Sequence, residues 1–458
     1  MLSSLHALPT DVHLVLLAFL NAPDLGCLAQ TCRLFYALIS EHGWTIYRRL
    51  HLNDSLSPSM NSIFVNWDDR LRVRNAHLTA RNWTQRRFAA QALCTPWPGI
   101  FQPVLVQHMS SSRMAVLAGN ALLTFGFHSA PIGNPSRIRL ETRVALPHAT
   151  ARNGQRDLVG GAFISDRTMI VALYDGTVHR LHLPGVQHTP LDHPSRYAIT
   201  ATYERAPGLK NVHALAAAGQ TAVVLGRTGQ VALYRANAPW QPPSTALLPG
   251  ARKGRSWAAY IAPDVSYAAF GRAHVDHALA VHPIRPDSGI DAVDFTALSG
   301  ARPGKSGYAV YSLGPMEPSG NPNLLLSGWF DGRARGYDLR MPAASNIVLT
   351  LRDQWASEGL FSVSAAGHRV ALGTLRHGLV ALFDIRAPGA GWSVYAPGRA
   401  ENSPVYGLAL EESRLIGITR TRAFAFDFGP GADAETFPTL MGETSVQHSV
   451  SMYEHSKG

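Results

Sequence analysis

The run Gly300-Ala301-Arg302-Pro303-Gly304-Lys305-Ser306 has the residue types that wrap a phosphate: glycine amides, a lysine and a hydroxyl. Phosphate loops need a longer gap between the glycines and a helix start behind them, so that amides converge on the anion. Here a strand-like run, Gly307-Tyr308-Ala309-Val310-Tyr311-Ser312-Leu313, follows instead, and nucleotide binding is not expected. His274, His277 and His282 are possible zinc ligands by type. No HExxH, no paired CxxC and no adjacent carboxylates accompany them, so neither metal nor another cofactor is expected. The absence of a G-x-S-x-G elbow leaves a hydrolase without its nucleophile. Three cysteines, Cys27, Cys32 and Cys94, exclude a disulfide-built fold and fit a reducing compartment, with Cys27 and Cys32 assigned to packing. No catalytic residue is expected.

Arginine is the remaining chemically capable side chain. The net charge is +10, and of 41 basic residues only Lys210, Lys253, Lys305 and Lys457 are lysines. The guanidinium fork suits carboxylates and phosphates. The arginines are spread through every region rather than along one track, so nucleic acid is not an expected partner. The densest run holds Arg70, Arg72, Arg74, Arg81, Arg86 and Arg87, interleaved with Leu71, Val73, Trp83 and Phe88. It reads as a helix edge with arginines to solvent and aromatics inward. Further on, Arg340 and Arg386 follow Asp338 and Asp384 closely, which favours local ion pairs. Arg333, Arg335 and Arg376 are the candidate contacts for an acidic or phosphorylated protein segment.

These residues sit on two kinds of element. Residues 1–50 have helical periodicity. Val12, Val15, Leu16, Phe19 and Leu20 recur at intervals of three and four and make one apolar face. Pro23 breaks the pattern, Asp24 is a candidate N-cap, and Leu34, Phe35, Leu38 and Ile39 form a further helix ending near Gly43. Asp11 and His13 interrupt the apolar run and no basic residue precedes it, so a folded helix is expected rather than a secretion signal. No stretch approaches the ~18 apolar residues of a membrane span, and no membrane association is expected. Residues 51–100 read as a linker and helical connector.

From about residue 101 the period becomes two, and the turns reveal a repeat. Asp175-Gly176, Thr228-Gly229, Asp331-Gly332 and His377-Gly378 each follow an apolar run, with Leu181, Tyr234, Tyr337 and Phe383 five residues after the glycine. Gly176, Gly229, Gly332 and Gly378 are therefore assigned to tight strand–strand turns. Weaker pairs lie around Gly119-Asn120, within 257–283, and around Thr421-Arg422, giving seven units. Their spacing matches four-stranded blades arranged radially, so 101–430 is expected to be a seven-bladed β-propeller and 431–458 a partly disordered tail. The fold class is all-β with a small all-α module ahead of it.

Leu8-Pro9, Asp11-Val12, Leu16-Leu17, Leu20, Asp24-Leu25, Leu28, Thr31-Cys32-Arg33, Phe35, Trp44 and Tyr47-Arg48-Arg49 together resemble an F-box. Aromatic-aspartate endings such as Tyr337-Asp338 and Phe383-Asp384 resemble those of WD40 repeats, with Tyr or Phe in place of Trp. The chain thus looks like an F-box/WD40-repeat protein. That resemblance implies docking onto the F-box-binding adaptor of an SCF-type cullin–RING ubiquitin ligase core. The implied contacts are Leu8, Pro9, Leu16, Leu20, Leu28, Cys32 and Arg33. It also implies capture of a protein substrate by the propeller for ubiquitination and degradation, in the cytoplasm or nucleus. The alternative is a non-enzymatic WD40-like interaction scaffold with no ligase link.

Overall fold

The computed structural model describes residues 5–52, 67–94, 97, 102–107, 113–128, 137–146, 156–184, 197–250, 254–298, 308–316, 320–397, 402–430 and 452–455. The phosphate-loop-like run from Gly300 lies outside the described residues.

Four short helices come first: α1 (Thr10–Leu17), α2 (Ala22–Ala29), α3 (Arg33–Leu38) and α4 (Trp44–His51), with a π-turn at Ile39–Gly43 joining the last two. Asn21, not Asp24, caps α2: its side chain accepts from the Asp24 amide at 2.9 Å, and Pro23 occupies the first turn where a missing N–H costs nothing. Leu17, Leu25, Phe35, Leu38 and Ile39 form a small shared core. Helix α5 (Asp69–Thr84), capped by Asp68, follows. Its Asp69 pairs with Arg48 of α4 at 2.8 Å.

The rest of the described chain is seven antiparallel sheets. Six form consecutively, at 104–145, 158–202, 212–247, 255–297, 310–352 and 360–395, and are numbered here as blades 1 to 6. Blade 7 takes three strands from 407–427 and its fourth from Ala89–Ala92, which pairs with Ala423–Asp427. Innermost strands of successive blades touch one another around the whole circle, including blade 7 with blade 1. Each blade buries both faces, as the apolar clusters between neighbours require, and no open ring edge is left.

Two boundaries differ from those read in the sequence. The ring begins at Ala89 rather than at 101, because its closing strand lies inside the expected connector. The tail expected at 431–458 contributes a further strand: Met452–Glu454 pairs with the outer strand Gly391–Tyr395 of blade 6. Asp353 anchors it. One carboxylate oxygen accepts from Ser393 Oγ and Tyr453 Oη at 2.6 Å and lies 3.2 Å from His455 Nε2. Burial would raise the Asp353 carboxyl, but hydrogen bonds from His455, Ser393 and Tyr453 outweigh it and hold the group well below the usual range. This Ser–His–Asp group has no relay geometry. His455 turns the same Nε2 to Ser393 and to Asp353, and all three are buried.

The seven paired runs found by their turns are the second and third strands of the seven blades. Gly332 shows why glycine stands there. Its φ is +75°, and an added Cβ would lie 2.8 Å from the Glu358 carbonyl oxygen. Gly176, Gly229 and Gly378 also have positive φ, at +96°, +88° and +58°.

Candidate functional site

The helical module carries the first surface. Helix α1 turns His13, Leu14 and Leu17 toward the module core; His13 is held there by a 2.8 Å bond between its Nε2 and the Leu5 carbonyl and by edge contact with Phe35. The opposite side is apolar too, and it is open. Val12, Val15, Leu16 and Phe19 follow one another at helical spacing with relative exposures of 38%, 60%, 42% and 82%. Leu34 and Tyr36 add further exposed apolar area on α3. Of the expected contact residues, Pro9, Leu16 and Arg33 are exposed and Leu8 is half-buried. Leu20, Leu28 and Cys32 are half-buried and pack against the module core. Val15 and Phe19 were legible as part of an apolar face; only the packing shows that this face points outward.

The module is fixed to the ring. Trp83 of α5 stacks on Phe428 at 3.5 Å, donates from Nε1 to the Glu412 carbonyl at 3.0 Å, and receives the Arg369 guanidinium on its ring at 4.7 Å. Asn82 donates to the Phe428 and Gly429 carbonyls. Arg70, Arg74, Arg81 and Arg87 are exposed, so the basic run is the solvent edge of this joint.

The second surface lies at one mouth of the central channel, on the ring face that carries the tight turns. In blades 2 to 6 the innermost strand slips register once near its start, at Val159, His213, Trp257, Tyr311 and Phe361. A bulged residue is unpaired and its side chain is re-aimed. Four of these five carry rings, and the rings touch in order: His213–Trp257 at 5.1 Å, Trp257–Tyr311 at 4.6 Å, Tyr311–Phe361 at 4.8 Å, then Phe361–Tyr406 at 5.3 Å. Phe330 extends the patch outward through Tyr311. A sequence signal existed: a buried residue, a ring and then a small residue recur as Val212-His213-Ala214, Ser256-Trp257-Ala258, Val310-Tyr311-Ser312 and Leu360-Phe361-Ser362.

Arg255 gives this belt its charge. Its guanidinium lies 3.7 Å over the Trp257 ring and donates to His213 Nε2 at 2.8 Å. Burial first, then the charges of Arg255 and Arg227, lower the His213 pKa to about 4, so it is a neutral acceptor at pH 7. Burial and the nearby Arg227 charge also push Arg255 down. Neither arginine has a carboxylate within ion-pair distance among the described residues, and Trp257 Nε1 is buried without a hydrogen-bond partner. The belt therefore offers anion-seeking donors between aromatic faces.

The arginines chosen from the sequence divide differently. Arg335 is 5% exposed, paired with Asp331 at 2.6 Å and laid over Trp329, so it is part of the blade 5 wall and is not displayed to a partner. Arg333 is exposed beside the turn, and Arg376, on the next blade, is exposed with Glu358 3.6 Å away. Arg340 and Arg386 pair with Asp338 and Asp384 at 2.6 Å and 2.5 Å. Among the described residues no group of three or more His, Cys, Asp or Glu side chains is placed to hold a metal ion, and no helix is long and apolar enough to cross a membrane.

Comparison with known proteins agrees with the helical module. Residues 5–53 match the F-box-like family. No curated protein matches the chain. The molecule is an F-box-like module joined to a seven-bladed propeller, an architecture that suggests a role in protein interaction.

Proposed function

We propose that this protein is a substrate adaptor of an SCF-type cullin–RING ubiquitin ligase. The helical module docks on the F-box-binding adaptor, and the propeller holds a protein substrate for ubiquitination. The observation that carries the reading is the outward apolar side of α1, Val12, Val15 and Leu16, continued by Phe19 in the turn after it, within residues that match the F-box-like family. A module with so small a core gains by covering such a face. The docking contacts are Leu8, Pro9, Leu16 and Arg33, joined by Val15 and Phe19; Leu20, Leu28 and Cys32 support them from beneath. The substrate site is the aromatic mouth of the channel with Arg255 and Arg227, and the exposed Arg333 and Arg376 on the same ring face. Its chemistry favours an acidic or phosphorylated segment that also brings an apolar or aromatic side chain.

Calorimetric titration of the full chain with the F-box-binding adaptor tests the docking step. Val15→Ala with Phe19→Ala is expected to weaken binding by about 1–4 kcal/mol with the melting temperature held, as for truncated interface anchors. Unchanged affinity, or no binding by the unaltered chain, overturns the proposal.

A further inference from the structure

Among the described residues four arginines are buried: Arg113, Arg272, Arg335 and Arg414, at 1%, 4%, 5% and 0% exposure. Three bring a carboxylate with them. Arg113 pairs with Glu141 at 2.8 Å, Arg335 with Asp331 at 2.6 Å, and Arg414 with Glu411 at 3.2 Å. Arg272 has none. Its Nη1 donates to the Pro249 carbonyl, while Nε and Nη2 are buried without a hydrogen-bond partner. An uncompensated buried charge is costly, and the fold answers that cost with a carboxylate in the other three cases.

Arg272 lines a cavity of about 60 Å³ between blades 3 and 4, under the tight turn of blade 4. Phe270 and Phe295 form apolar walls, and His282 stands beside them with its Nδ1–H donated to the Asp291 carbonyl at 2.9 Å. Burial, with the Arg272 charge among the further causes, holds His282 below its ordinary pKa, and burial pushes Arg272 down. The exposed Asp276 and His277 line the same cavity and connect it to solvent.

We infer that the Arg272 cavity is a binding site for a phosphoryl group, with the two unpaired guanidinium N–H donors as its fork and His277 at its rim. Two parallel donors match the edge of a tetrahedral oxyanion, and the apolar aromatic walls strengthen such bonds. The ligand supplies the counter-charge that a carboxylate supplies to Arg113, Arg335 and Arg414. Asp276, a like charge at the mouth, weakens entry. The site is separate from the channel mouth and does not depend on the ligase reading.

Titrating inorganic phosphate, and in a second arm phosphoserine, into the full chain at fixed ionic strength tests this by calorimetry and by melting temperature. One saturable site is expected, with the melting temperature rising as it fills. The tighter arm identifies whether the group is free or carried on a side chain. Arg272→Met is expected to abolish the shift. Should that variant fail to fold, His277→Ala is expected to weaken binding several-fold and Asp276→Asn to tighten it. No saturable binding in either arm overturns the assignment. So does equal binding by Arg272→Met, or an Asp276→Asn variant that is less stable and indifferent to phosphate, which would make Asp276 the counter-charge.

Discussion

The helical module and the ring solve the burial problem in opposite ways. The module has five buried apolar side chains at its centre and leaves Phe19 82% exposed. The ring closes on itself, so each sheet finds both neighbours within the chain. The ring thus buries the faces of its sheets within the chain, whereas the module leaves one apolar helix side, Val12, Val15 and Leu16 with Phe19 in the turn after it, uncovered. In the ring, regular pairing of the innermost strands is interrupted at the channel mouth, where bulged strand starts bring aromatic side chains together.

The joint between the two regions gives the harshest test. Trp83→Ala removes a stack on Phe428, a hydrogen bond to the Glu412 carbonyl and a buried indole. The expected cost is about 3–5 kcal/mol. Calorimetric melting should then separate a helical transition from that of the ring. A single unshifted transition would show that the module and ring are coupled elsewhere.

Within the ring, Gly332→Val forces a β-branched residue to φ +75° and sets its Cβ against the Glu358 carbonyl. A loss of about 2–3 kcal/mol is expected, read as a lower midpoint in denaturant.

The channel mouth adds a pH dependence. His213 takes up its proton near pH 4 when folded, whereas an unfolded histidine does so near 6.5. Between those values the unfolded chain binds more protons, so stability is complete above pH 6.5 and is lost as pH falls toward 4. The contribution is about 1–3 kcal/mol. His213→Gln, which keeps an acceptor for Arg255, should flatten this part of the stability–pH curve; an identical slope would place the titration elsewhere.

The gentlest test lies in the module. Gly26 occupies the middle of α2 with nothing within 4 Å of an added Cβ. Gly26→Ala should stabilise the helices by about 0.5–1 kcal/mol, seen as a small rise in their melting midpoint. Opposite signs at Gly26 and Gly332 would sharpen the contrast between an open helix surface and a closed ring.

Much of this architecture was written locally. Asp331-Gly332 and His377-Gly378 announce tight turns because few residues accept the required φ, and the alternation around them gives strands without reference to the rest of the chain. The F-box resemblance is likewise carried by contiguous residues. The outward direction of Val15 and Phe19 was not legible, since an apolar stripe has the same spacing whether it meets a core or a partner. Arg335 and Arg272 look alike in sequence. Only the fold sets Asp331 against one and no carboxylate against the other.

The sequence alone determined seven strand–turn–strand units behind a helical module, because φ preferences and side-chain periodicity act over a few residues. The tertiary structure decided how the ring closes. Ala89-Ala90-Gln91-Ala92 has little intrinsic strand preference and pairs with residues more than three hundred positions away. The same holds for Met452–Glu454 on blade 6 and for the rings gathered at the channel mouth. Each depends on a partner that only the tertiary fold brings into place, and no local preference encodes that partner.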